Sequence, residues 1–387
     1  MKVQSVGSLK SVFIVSFILT ISVALTSYVD SSFVESFTSP KIVGIMFTLA
    51  SLLSLVYISN TPKILSKYGV LKTLTSVGIV YILSIVGLVT INNYHILQFF
   101  FLTYWVSAVA MYLSVDILLS HYSKEGSTGG TRGIYLTVYN LAFLIGPFLA
   151  GILVNTIYFK GVYITSGFLV ACMLYYFVSK FKDLKIFPKE TNFSLISNFL
   201  NVLKQKDLRN VYLVAMTLSF FFAWMTIYTP LYLFDQVGLS WQEIGVVFAV
   251  MHIPYVLLDI PWGKIADKIL GEKEMMMAGI IIVGLCTISL GFITGKEVWI
   301  WACGLALTRI GASLIQVTTE SYFFKKINKE DTDSISVFRN ASPIAFLISP
   351  IIATIALTFT NRAGLFIILG IIVLCALIPS YKLHDTK

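Results

Sequence analysis

The sequence predicts an all-α polytopic membrane protein, twelve transmembrane helices arranged as two parallel six-helix pseudo-repeats. Three observations lead there: an apolar composition, a regular succession of span-length hydrophobic runs, and a near-constant offset between matching residues of the two halves. Of 387 residues 57% are hydrophobic and only 12% are charged, against about 25% charged in soluble domains. So little polar surface requires a bilayer as solvent.

A helix crosses a ~30 Å hydrocarbon core with about 20 mostly apolar residues. On that measure spans fall near 10–29, 40–58, 70–90, 96–120, 132–156 and 160–180. Six more follow near 210–233, 241–262, 274–294, 297–321, 334–357 and 363–381. The first run, about 18 residues to Tyr28, exceeds a signal-peptide core of roughly 7–15 residues and reads as a retained helix.

Charge sets the expected orientation. With the N-terminus inside, the segments on that side hold 23 basic residues and the opposite segments hold four: Lys41, Lys160, Lys296 and Arg362. This bias places both termini in the cytoplasm of an inner-membrane, multi-pass protein. The same distribution excludes a nucleic-acid surface despite the net charge of +9, because the bases mark loop after loop rather than one patch. Three regions are expected: a six-helix bundle over 1–180, a cytoplasmic linker over 181–209 and a second bundle over 210–387.

Gly44 and Phe47 match Gly245 and Phe248 at an offset of 201, Pro147 matches Pro350 at 203, and Asp116 matches Glu320 at 204. Six spans per half give both halves the same orientation, with a central site expected between them near the midplane.

Arg309 stands about ten residues from Trp299, ~15 Å deep at ~1.5 Å per residue. An arginine there costs ~2.5–3.5 kcal/mol and is expected to face a cavity or a partner. Ser313, Gln316 and Glu320 continue one polar stripe at +4, +7 and +11. Either Arg309 receives an anionic or polar substrate group, or it is satisfied by carbonyls or an acid of its own half. At the 204 offset the first half offers Trp105, Tyr112 and Asp116, with Asn140 and Trp224 as further cavity candidates. His252, beside Pro254, is the histidine at midplane depth and the candidate for proton coupling. Asp30 is placed at the outer end of the first span, and no carboxylate is expected at midplane. The four cysteines lie within apolar runs without metal spacing and read as small hydrophobes. No catalytic residue, metal site or cofactor is indicated, since the four histidines are scattered and no Gly-rich phosphate loop is present.

After the eighth span the chain reads Gly263-Lys264-Ile265-Ala266-Asp267-Lys268-Ile269-Leu270-Gly271-Glu272-Lys273. This resembles the cytoplasmic loop signature of the major facilitator superfamily, with one extra residue before its second glycine. The first-half copy, Pro62 to Gly69, has Pro62 for the first glycine and Ser66 for the aspartate. The resemblance extends over the twelve spans, the repeat and the central loop. It implies a secondary transporter of a small molecule working by alternating access, its cavity lined by spans 1, 4, 7 and 10. The expected partners are the small-molecule substrate, the lipid bilayer and a coupling proton, with the chain a monomer. A multidrug-type exporter of lipophilic compounds is the alternative, and a membrane-embedded transferase a remote one. Glycines at the loop suggest a tight turn. Asp267 and Lys268 beside Gly263, with Arg339 and Glu320, are the candidate gating charges of the second half; Asp116 with Arg132 is the first-half counterpart.

Overall fold

In the computed structural model the described residues are 8–122, 128–187, 195–268, 270–327 and 337–384, and among them there is helix and no strand. The helices of the first half are α1 (Leu9–Ser27), α2 (Asp30–Ser36), α3 (Pro40–Thr90), α4 (Tyr94–Tyr122) and α5 (Thr128–Phe181). Then follow α6 (Leu195–Lys204), α7 (Lys206–Tyr232) with a π-helical turn at Leu233–Val237, α8 (Trp241–Lys268), α9 (Glu272–Leu290) and α10 (Val298–Lys326). The chain closes with α11 (Ala341–Ala356), α12 (Arg362–Cys375) and α13 (Leu377–Tyr381).

Among the described residues ten helices are long and apolar enough to cross a membrane. Two of them count double. At ~1.5 Å per residue, α3 and α5, with 51 and 54 residues, far exceed a ~30 Å core. Each is interrupted: α3 at Gly69 (φ 73°, ψ 165°), and α5 at Ile157 and Tyr158, where Tyr158 takes φ 59°. Twelve crossings result. Gly69 adopts the left-handed region that a side chain resists, and this ends the second span and starts the third. Val70, thus deprived of a helical partner, donates its N–H to the Ile186 carbonyl at 3.0 Å, while the Phe187 ring covers Gly69.

Two compact units emerge: residues 1–39 with 49–192, and residues 40–48 with 193–387. In the first, α1 packs along α5, and a methyl group on Gly146 would lie 2.6 Å from Ala24 Cβ. In the second, α10 packs against α8 and α9. Gly279 and Gly311 bring α9 and α10 within backbone contact: a methyl on either would meet the other's carbonyl oxygen at 2.8 or 2.7 Å. Small residues supply the close fit because lipid offers no hydrophobic gain for helix association. The opening of α3 groups with this unit, Gly44 lying against Thr354 and Tyr228.

The 181–209 stretch contains α6, whose Phe199 meets Tyr212 of α7 at 5.5 Å, and the first turn of α7. The tight turn is not made by Gly263, which lies inside α8 with its nearest neighbour, Val317 Cγ1, 3.8 Å from where a Cβ would stand. Gly271 caps α9 in extended backbone (φ −69°, ψ 158°), so neither glycine of this loop is left-handed.

Candidate functional site

Arg309 lies in the middle of α10 with 2% of its surface exposed. Its guanidinium sits over the rings of Phe221 and Phe222 of α7, at 5.0 and 5.3 Å from their centroids. Such contacts stabilise a desolvated cation, but they engage the π faces and leave the N–H groups unused. Nε and Nη1 are buried and make no hydrogen bond. Neither of the structural satisfactions open to the sequence, a carbonyl or an acid, is present among the described residues. A buried donor without an acceptor costs about 1–3 kcal/mol.

His252 of α8 is buried next to this charge, and Arg309 acts on it electrostatically. Its Nδ1 lies 2.8 Å from the Phe248 carbonyl. A carbonyl only accepts, so Nδ1 carries the hydrogen. Tyr255, one turn on, stands 6.3 Å from His252 and 6.4 Å from Phe222 between ring centroids. Cation, imidazole and aromatic walls therefore come from α7, α8 and α10 of one unit. Trp224, buried one turn after Phe220, stacks obliquely between Phe220 and Tyr228, and its Nε1 makes no hydrogen bond.

The rest of the stripe diverges. Ser313 is fully buried and donates to Asp259 of α8 at 2.5 Å, so this hydroxyl is engaged inside the unit. Gln316 is half-buried. Glu320 accepts from Arg339 at 3.4 Å, the expected acid–base contact at the end of α10. The side chains of Asp267, Lys268 and Arg132 lie outside the described residues.

A polar cluster at this end of the second unit escaped the sequence reading. Glu272 is wholly buried at the start of α9 and accepts from Ser321 at 2.8 Å and from Lys325. Asp207 of α7 pairs with Lys326 at 3.0 Å and His384 at 2.8 Å. The i, i+4 spacing of Ser321 and Lys325 was a usable signal; their partners on other helices were not.

In the first unit Trp105 is half-buried against Phe101 at 6.1 Å, and Tyr112 of α4 meets Tyr139 of α5 at 6.3 Å. Asn140, next in sequence to Tyr139, and Asp116 are half-buried. Asp30 stands just after the end of α1, as expected, and is 2% exposed, enclosed by tyrosines of α4 and α5.

Comparison with known proteins agrees with this architecture. A probable L-galactonate transporter of Escherichia coli (strain K12) is 25% identical over 158 residues, 40% of this chain, and the match spans 33% of that relative's length. A crystal structure of a POT family transporter in complex with 5-aminolevulinic acid superposes with a TM-score of 0.79 at 13% identity, covering 96% of this chain and 94% of that one. The POT family transporter PepTSo gives 0.78 at 11% identity, covering 96% of each chain. At such identities these structures speak for the fold. The family model described as Major Facilitator Superfamily matches residues 12–330 and 226–386, and the chain belongs to that superfamily.

Proposed function

We propose that the protein is a secondary transporter that moves a small molecule bearing an anionic group by alternating access, with Arg309 as the anion anchor. The observation that carries this reading is a buried guanidinium whose Nε and Nη1 make no hydrogen bond, with no ion pair to Arg309 among the described residues. A carboxylate supplies two oxygens to such a fork. L-Galactonate, for which the E. coli relative is named, and 5-aminolevulinic acid, the ligand of the superposable POT family transporter, are both carboxylates, which makes them the first probes. The aromatic walls at Phe221, Phe222 and Tyr255 suit the less polar remainder of a substrate.

His252 is the proton partner in this unit: a proton on the imidazole and an anion on Arg309 would offset each other's charge. Gln316, Trp224, Trp105, Tyr112 and Asn140 complete the proposed substrate contacts. The Glu320–Arg339 pair, with Asp267 and Lys268 of the loop after α8, forms the proposed gate, and Asp116 with Arg132 its counterpart. The proposed organisation is two bundles, 1–180 and 210–387, joined by 181–209, acting as a monomer in the inner membrane with both termini cytoplasmic. The positive-inside bias supports that orientation. The proposal assigns no catalytic step to the chain. A multidrug-type exporter of lipophilic compounds is the weaker reading, and a cationic cargo in particular would bring a positive charge next to Arg309.

The test is thermal unfolding of the purified protein titrated with L-galactonate and with 5-aminolevulinate. A ligand that binds the folded state raises the midpoint with concentration. A concentration-dependent rise with a carboxylate, absent in Arg309→Ala, is expected. A rise with lipophilic cations and none with anions would overturn the proposal.

A further inference from the structure

We propose that Asp30 is a proton-binding carboxyl of the first unit, protonated at neutral pH when enclosed as it is here. Its role as a carrier of the coupling proton rests on the transporter reading above; its protonation does not.

The geometry is that of a carboxyl enclosed without a cation. Asp30 opens α2 immediately after the bend that ends α1, which turns the carboxyl inward, and 2% of the residue is exposed. Tyr163 of α5 donates its hydroxyl to Oδ1 at 2.6 Å. The Tyr104 hydroxyl of α4 lies 3.5 Å from the same oxygen, its shorter bond going to Thr26 Oγ1 at 2.5 Å. From α3, Tyr81 stands behind Tyr104 at 5.0 Å between ring centroids, and its hydroxyl pairs with Ser166 at 2.8 Å. Phe33 closes one side, 4.5 Å from the Tyr163 ring.

The groups facing Asp30 are therefore Tyr163, Tyr104 and Tyr81, with the hydroxyl of Thr26. All are neutral near pH 7. Among the described residues no lysine, arginine or histidine pairs with Asp30. An ionised carboxylate in such a place lacks the compensation that buried charges require. As the acid it carries no charge and needs no cation. Oδ1 takes the tyrosine donors and so is the carbonyl oxygen, which leaves the proton to Oδ2. Opening the cage to water would restore the solvation of the anion and release the proton. Deprotonation is thereby tied to a change of shape, as a coupling step requires.

The hydroxyls of Ser31 and Ser32, next in sequence to Asp30, are buried without hydrogen-bond partners, and a sodium ion bound by such oxygens is the competing occupant. The experiment separates the two occupants. Full-length protein in lipid is studied by infrared difference spectroscopy, wild type minus Asp30→Asn, from mildly acidic to alkaline pH in H2O and D2O. The expected result is a protonated-carboxyl C=O band present at neutral pH, sensitive to deuterium and lost as pH rises. Tyr163→Phe keeps the acid but removes the donor to Oδ1, and should move the band to higher frequency; it serves if Asp30→Asn does not fold. A spectrum showing Asp30 ionised across the range would overturn the proposal. So would conversion of the band to carboxylate by sodium ion at fixed pH. The same preparation titrated with L-galactonate reports on the Arg309 reading separately, and its failure would leave the Asp30 band in place.

Discussion

Replacing Arg309 with methionine separates an anion anchor from a structural arginine by the sign of its effect on stability. Arg309 has two buried nitrogens, Nε and Nη1, without acceptors, each costing about 1–3 kcal/mol. Against this stand two ring contacts at 5.0 and 5.3 Å, worth about 0.5–2 kcal/mol each. Methionine is of similar length, keeps apolar contact with Phe221 and Phe222 and removes the orphaned donors. The expected change in stability is small, between neutral and about 2 kcal/mol in favour of the variant. Affinity for a carboxylate should behave oppositely. Two charge-assisted hydrogen bonds at about 1.5–3 kcal/mol each correspond to a loss of roughly 100-fold or more. The assay is chemical or thermal unfolding of wild type and Arg309→Met in the same detergent, with and without L-galactonate or 5-aminolevulinate. A variant destabilised by about 3–5 kcal/mol, the usual penalty for breaking a satisfied buried pair, would refute the reasoning. So would unchanged carboxylate affinity.

Other expectations follow from the packing. Gly311→Ala should cost about 1–3 kcal/mol by overpacking, since its Cβ would stand 2.7 Å from the Gly279 carbonyl; urea unfolding monitored by tryptophan fluorescence reads this. Ser313→Ala should lower stability by about 1 kcal/mol through loss of the bond to Asp259, while leaving carboxylate affinity within a few-fold. Glu320→Arg or Arg339→Glu alone should change stability by no more than about 1 kcal/mol, as the pair is partly exposed. If the pair gates, each single reversal slows uptake into proteoliposomes and the double reversal restores it. Gly69→Ala should destabilise the first unit by about 1–2 kcal/mol, because φ 73° is costly for a residue with a Cβ and Phe187 already occupies that space.

Span-level architecture was readable because hydrophobic length is a local property of the chain. Even the two helices that run continuously through two crossings betray their breaks, one of them at a glycine. Arg309 was equally legible, since a midplane charge contradicts its surroundings wherever it occurs. Its neighbours were not: that Phe221 and Phe222 take the two ring contacts depends on how α7 lies against α10, which one strand of letters does not encode. Asp30 shows the limit most clearly. Counted along the chain it falls at the outer end of the first span, and its burial is not visible there. Only the bend after α1 and the approach of α4 and α5 turn it into a buried acid. Gly263 failed in the other direction, a motif glycine suggesting a turn where the helix runs on.

The hydrogen bond from Val70 to Ile186 has a consequence for how the protein is made. Its acceptor is 116 residues downstream of its donor. At synthesis rates of about 5–20 residues per second, the start of the third crossing therefore waits on the order of ten seconds for its partner. Until the sixth crossing is complete and the following segment has emerged, that amide must be satisfied by something else, such as water or a lipid headgroup. The tie is a completion signal built into the first unit, made only once all six of its crossings exist. Nascent chains stopped shortly before and shortly after residue 186 should accordingly differ in protease resistance near Gly69, although every span of the first unit is present in both.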